Sequence, residues 1–576
     1  MNHRYRLKSA AATLLVLVLA ACGGGRADPP ADVSPNPAPP VAASGKLLDF
    51  LLFPNPLKQV DGTAQTNTTA YAEAYYKAID PGGKAKTFEA WKQLNGFGQL
   101  GTGTEETAVF GDFRDLGYGR RMTARKSNDG TTIAFFVENY LVDTAGGGYA
   151  SGPTLDAAVV QDQRWKANIN AIEFSPGRNA AGAIVGTVKF AKFYSFDPVT
   201  HERRLEQDID GRGPKALPGL CISCHGGRAD ALEPPDPVTG VAMFPLLNNS
   251  ESSQRGDTRG KLHVFEVDSL TFSNKPGVSR SEQQAKLKVM NGFVLCSYPM
   301  AAPPAGSCRP SAVSTEWQGA AAELIIKAYG GDALPQAEYS TPAVPAGWMM
   351  RPQDELLYRN VVVPACRSCH IVRGTGNSGD RQSEIDLTTF AKFDNYADRT
   401  KIHVFDRGNM PLAKIVFDKF WTPTPGGSMA DKLAAYLDTK GAPYAPARDA
   451  AGQLVKPDLV IPAQGLPTGP VTFTQVKAVL TGPTSACFGC HKVGDAPLTA
   501  FNPDDPLLYE RVRGMVNLTD VVASPLLRKP SNNHHGGGQV GGFNTGAPLV
   551  TNPPGNPLRS DYDLFLNWAL AGALKN

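Results

Sequence analysis

Hydrophobic and polar positions follow different rhythms in different parts of this chain. Residues 10–21 form an unbroken apolar run behind Arg4, Arg6 and Lys8. The stretch 185–196 alternates and is rich in β-branched and aromatic residues, which predicts a half-buried strand. Residues 131–137 and 171–174 are also strand-like, whereas 71–79 and 88–94 carry apolar residues at helical spacing. Together they predict a mixed α/β domain over 47–215. From about residue 216 the pattern changes to short helical stretches separated by polar loops, with candidates at 281–289, 315–328, 428–438 and 562–574. Turn and linker signals at 342–347 and across 441–470 divide this part into segments 216–345, 346–455 and 456–576. The expected fold class is therefore multidomain, a mixed α/β N-terminal domain followed by mainly α, loop-rich domains.

Composition changes this picture little. The chain has 576 residues, enough for three or four domains, with 59 glycines and 47 prolines that imply many loops. A formal charge of +3 argues against nucleic acid as a partner and provides no strong steering field.

The cysteines change it a great deal. Cys221-Ile-Ser-Cys224-His225, Cys366-Arg-Ser-Cys369-His370 and Cys487-Phe-Gly-Cys490-His491 use six of the nine cysteines. Cys-x-x-Cys-His is the covalent attachment site of a c-type haem. Two thiols on a helical turn reach one porphyrin edge, and the histidine reaches the iron. Structural zinc also uses Cys-x-x-Cys pairs, but closes four ligands around one ion. Here the pairs are far apart in sequence and each carries a histidine. A thioredoxin-like redox motif accounts for one copy in a βαβ setting, not for three. The motifs predict three covalently bound haem c groups, with His225, His370 and His491 as proximal iron ligands.

The amino terminus reads as a secretory signal over residues 1–21. Its ending, Leu19-Ala20-Ala21-Cys22, resembles the lipobox of bacterial lipoproteins. That resemblance implies a lipidated Cys22, and Gly23 after it implies sorting to the outer membrane, with the body on the periplasmic or cell-surface face. The alternative is an ordinary signal peptide with Cys22 incidental. Residues 22–46, rich in Pro, Ala and Gly, read as a flexible tether. In an exported protein the remaining cysteines, Cys296 and Cys308, are expected to form a disulfide, the alternative being two buried thiols.

The second and third motif segments resemble class I cytochromes c in motif and order: an attachment helix, loops over the distal face, and a closing helix. The pair Met410-Pro411 resembles the distal methionine loop of that class, which implies Met410 as sixth ligand of haem 2. Core packing of Met410 and ligation by His403 are the alternatives. The run His534-His535-Gly536-Gly537-Gly538, with 526–530 before it and 562–568 after it, resembles a haem module of bacterial multidomain cytochromes. The resemblance implies His535 as sixth ligand of haem 3, His534 being in reserve. For haem 1 the candidates are His263, Met122, Met243 and Met290, or an open face. The pair Arg120-Arg121 near Met122 is placed to approach haem propionates.

Axial ligation decides the chemistry, since two strong ligands favour electron transfer and an open face admits small molecules. The leading expectation is an outer-membrane-tethered electron carrier whose partners are redox proteins or a terminal acceptor. The rival is an oxidoreductase similar to dihaem cytochrome c peroxidases, with haem 1 catalytic and haems 2 and 3 feeding it. A third possibility is that the N-terminal domain binds a partner or polymer.

Overall fold

The computed structural model describes residues 66–575, apart from 113, 145–147, 150, 211–212, 247–253, 299–319, 332, 341–343, 373–386, 458–467, 483–485, 493–500, 519, 533–537 and 547–551. Cys22, Cys308, His534 and His535 therefore lie outside the described residues.

Two capped helices open the described chain. α1 (Thr69–Ile79) starts at Thr68, whose hydroxyl accepts a hydrogen bond from the Tyr71 amide at 3.1 Å. α2 (Phe88–Leu94) starts at Thr87, which accepts from the Ala90 amide at 3.2 Å. Each cap satisfies a backbone donor that the first turn leaves unpaired. An antiparallel meander follows: β1 (Gly103–Asp112), β2 (Gly119–Ser127), β3 (Ile133–Tyr140), β4 (Lys166–Arg178) and β5 (Ile184–Phe196). A helix α3 (Ser151–Val160) leaves the meander between β3 and β4 and packs Leu155, Ala157 and Ala158 beside Val109 and Tyr140.

Strand alternation gives the sheet two apolar faces. On β3, Ala134 and Phe136 face α1 and α2, in a core that includes Trp91, Tyr194 and Phe196. Ile133 and Phe135 point the other way. That second face is covered by chain from beyond the first motif. After the helix that carries the first motif, α4 (Gly219–His225), a short strand β6 (Leu270–Thr271) adds to the edge of β1, with Leu270 opposite Asp112. Then α5 (Arg280–Leu295), opened by a Ser279–Glu282 capping box, lays Leu287, Met290, Phe293 and Val294 on Phe110, Ala124 and Phe135. Residues on both sides of position 215 thus build one six-stranded sheet and one core.

C-terminal to Thr271 the described residues form helices and loops. They include α6 (Arg367–His370), within the second motif, α7 (Met429–Asp438), α8 (Ala486–Cys490), within the third, and α9 (Ser560–Leu570). Trp348 and the apolar side of α7 centre one core, and Trp568 with Phe473 and Phe565 centres another.

Buried arginine–carboxylate clusters join the three motif segments in pairs. Glu266, from the first, accepts from Arg367 of the second, whose Nε lies 3.0 Å away, and from Arg114 of the loop after β1 at 3.1 Å. Asp230, from the first, meets Arg513 of the third at 3.2 Å and its own neighbour Arg228 at 3.0 Å. Between the second and third, Asp520 accepts from Arg399 at 2.7 and 2.9 Å, and Asp398 pairs with Arg528 at 2.7 and 3.0 Å. Removing one member of such a cluster strands a buried charge, so the clusters set the relative placement of the segments.

Candidate functional site

The first motif lies on α4, which begins at Pro218 and ends at Gly226. Two glycines let the chain return over the end of this helix. A Cβ on Gly227, at φ +107°, would stand 2.3 Å from the Thr258 carbonyl oxygen, and one on Gly260 would stand 2.4 Å from the Phe193 ring. The returning strap is fastened by three bonds. The Arg228 amide donates to Thr258 O at 2.7 Å, the Lys261 amide donates to His225 O at 2.9 Å, and His225 Nδ1 lies 2.7 Å from Lys261 O.

That last bond sets the chemistry of His225. A neutral imidazole that donates from Nδ1 has its lone pair at Nε2, ready for a metal. Burial, with His263 beside it, holds His225 well below the usual histidine range, so it is neutral at ordinary pH, as a ligating imidazole must be. Burial pushes the Cys221 thiol up to about 12. Cys224 is also raised, first by a hydrogen bond with the Cys369 thiol and then by burial. Thiol–disulfide catalysis needs a depressed thiol, which this site does not supply.

Cys221, Cys224 and His225 face a cavity of about 220 Å³ between α4 and the sheet. Its sheet wall is apolar in one row, Phe135 beside Ile172 and Phe193, mixed in the next, Met122 beside Val137 and Asn170, and polar in a third, Arg120 beside Asn139. Cys369 of the second motif lines the same cavity. The structure therefore brings together two motifs that stand far apart in sequence. Among the described residues no three His, Cys, Asp or Glu side chains are grouped as for a metal ion. The donor set of the first motif, two thiols and an imidazole on one turn against largely apolar walls, fits a covalently held haem.

Of the proposed sixth ligands for haem 1, His263 and Met122 line the cavity. Met290 is buried between α5 and the sheet, and the Met243 carbonyl accepts from the Glu233 amide. The His263 ring lies 4.4 Å from that of His225, and its Nε2 is 3.2 Å from Cys224 O. Of the basic pair, strand alternation directs Arg120 to the cavity and Arg121 away from it. Arg120 is engaged by two carboxylates, Asp115 through its terminal nitrogen and Asp112 at 3.5 Å.

In the second segment, Met410 is half-buried and borders two cores, one that Cys366 also borders and one that Cys221 and Cys224 also border. His403 has both ring nitrogens engaged, Nε2 at 2.8 Å from Asp520 and Nδ1 at 3.1 Å from Asn409 Oδ1. The Met410 amide donates to the His403 carbonyl at 3.2 Å. The Cys366 thiol is pushed up to about 12 by burial.

In the third, Cys487 is buried and Cys490 exposed, and the His491 ring stacks on Phe501 at 4.8 Å. Ser531 and Gln539, on either side of His535 in sequence, form an isolated antiparallel bridge. Cys296 is disulfide-bonded, and its expected partner Cys308 lies outside the described residues.

Sequence reading named Arg120 but missed its polar neighbour Asn139 and the interlocking charges. Asp112, Asn139 and Glu266 belong to no motif, and only strand register and long-range folding bring them to one wall with Arg120. No family model matches the chain, and no curated protein or solved structure matches it.

Proposed function

We propose that this chain is a three-haem c-type cytochrome that transfers electrons, exported and held to the outer membrane by a lipid on Cys22. Haem would be attached at Cys221 and Cys224, at Cys366 and Cys369, and at Cys487 and Cys490, with His225, His370 and His491 beneath the irons. The iron supplies a one-electron couple. The chain supplies burial and axial ligands, which set the potentials, and rigid spacing. Met410 is the proposed distal ligand of haem 2 and His535 that of haem 3. Partners are redox proteins or a terminal acceptor.

The observation that carries this reading is the meeting of Cys224 and Cys369 at one apolar cavity. Adjacent attachment helices, locked by Glu266 and Arg367, suit electron exchange between cofactors. No helix among the described residues is long and apolar enough to cross a membrane.

Expression in a host that matures c-type cytochromes tests the reading. The purified protein should exceed its polypeptide mass by three haems and a lipid, and should titrate as three one-electron centres. Colourless protein with free or zinc-bound thiols would overturn it.

A second reading makes haem 1 the catalytic centre of an oxidoreductase, with haems 2 and 3 as its electron supply. The polar row Arg120–Asn139 in the wall of the cavity favours it, since these groups can hydrogen-bond a small molecule held there.

A further inference from the structure

We infer that Met122, carried by the N-terminal sheet and outside every Cys-x-x-Cys-His segment, is the sixth ligand of haem 1. The inference deepens the electron-transfer reading and rests on haem being attached at Cys221 and Cys224.

The cavity narrows the choice. Haem iron takes histidine, methionine, cysteine or tyrosine as axial ligands. Beyond His225 and the motif cysteines, the described residues that line the cavity offer three of these: His263, Tyr194 and Met122. His263 stands on the helix side. The strap 258–263 is hydrogen-bonded to α4 itself, and His263 Nε2 lies 3.2 Å from Cys224 O. Two imidazoles sharing one metal, with metal–nitrogen bonds of about 2 Å on each side, hold their ring centres roughly 6 Å apart. The 4.4 Å between His225 and His263 leaves no room for a metal between them. Tyr194 turns its ring to the other face of the sheet, where it packs against Tyr76 and Trp91 with ring centres 5.8 and 6.0 Å away.

Met122 is left, and its placement suits the task. It sits within β2, paired with Ala108 of β1 on one side and Val137 of β3 on the other. A donor carried by a strand paired on both edges is held more precisely than one on a loop. Its side chain is half-buried, lines the cavity and borders the core that contains Phe110 and Phe135. Arg120 is two positions earlier on the same face of β2. Burial and His263 hold His225 low, and the Arg120 charge adds to them, so this stretch of β2 stands near the His225 ring. The thioether carries neither charge nor proton, so enclosing it among apolar side chains costs little, and three rotatable bonds give it reach.

The assignment gives the sheet domain a role, since it supplies the distal half of the haem 1 pocket. It closes the face that small-molecule chemistry needs. It also adds a second thioether-ligated centre beside that of Met410, so titration should resolve two higher potentials and one lower.

Full-length holoprotein with carbon-13 in its methionine methyls tests the assignment. The ring current of ferrous low-spin haem shifts the methyl of a bound methionine far upfield. Wild type should show two such resonances and Met122→Leu only one, a change that nearly conserves core volume. In Met122→Leu the haem on Cys221 and Cys224 should become high-spin and bind carbon monoxide when reduced. Met122→His should stay low-spin with a lowered potential, and Met290→Leu, in the adjoining core, should leave both resonances in place. The inference is overturned if Met122→Leu loses no upfield methyl, if all its haems stay low-spin, if wild type already holds a high-spin haem 1, or if His263→Gln creates one. Peptide masses showing no haem on Cys221 and Cys224 would instead sink the attachment reading beneath it.

Discussion

Asp520 lies 2.8 Å from the Nε2 of His403, which stands seven positions ahead of Met410, across the junction of the second and third motif segments. Burial pushes the Asp520 carboxyl up, but Arg399 and His403 more than offset this and hold it well below the usual carboxylate range. Its loss would leave the Arg399 guanidinium buried without a counter-charge. Asp520→Ala is expected to cost about 3–5 kcal/mol, read as a lowered urea midpoint, whereas Arg511→Ala, breaking the exposed pair with Asp505, should cost under about 1 kcal/mol. Equal midpoints for the two variants would show that the buried cluster does not hold the segments together.

Acid should weaken the sheet through Glu173. Burial opposes its ionisation, yet Lys192 and Arg178 bring the carboxyl down to about 2. A carboxylate lower in the folded than in the unfolded state stabilises fully above its unfolded value, near 4.3, and loses that contribution as pH falls toward 2. Thermal midpoints measured between pH 5 and 2 should fall for the native chain, and less steeply for Glu173→Gln, whose midpoint is already lower at pH 5. A parallel fall in both would remove Glu173 from the account.

The hydrogen-bonded thiols of Cys224 and Cys369 bring two porphyrin edges together if haem is attached at both. Two such chromophores in contact couple their transitions. The Soret circular dichroism of the holoprotein is expected to show a two-signed couplet, which a Cys366→Ala/Cys369→Ala variant should reduce to a single-signed band. A single-signed band in the native protein would count against adjacent haems.

Met410 offers a soft sulfur where His403 has both ring nitrogens occupied. Met410→His is expected to lower one of the three potentials and to remove the weak red band of methionine-ligated ferric haem, because thioether ligation raises the potential. An unchanged spectrum would return Met410 to a packing role.

Much of the local structure could be read along the chain. The rhythm at 71–79, 88–94 and 185–196 foretold α1, α2 and β5, and the stretches at 281–289, 428–438 and 562–574 fall within or overlap α5, α7 and α9. Local periodicity and capping determine such elements, so a window of a dozen residues suffices. β2 escaped because Gly119–Ser127 carries four basic residues, and its alternation of Arg120, Met122 and Ala124 acquires meaning only beside β1 and β3.

The same division holds for the chemistry. Three Cys-x-x-Cys-His pentapeptides announce their donor sets without any folding, since two thiols and an imidazole on one turn are a local arrangement. Distant pairing supplied everything else. It set Cys224 beside Cys369, turned Arg120 inward and Arg121 outward, brought Asn139 opposite Arg120, and occupied His403 with Asp520. Each of these depends on which strand or segment arrives opposite which, and that is decided by burial and pairing between residues as little as 19 positions apart, Arg120 and Asn139, and as much as 145, Cys224 and Cys369, a relation that linear spacing does not encode.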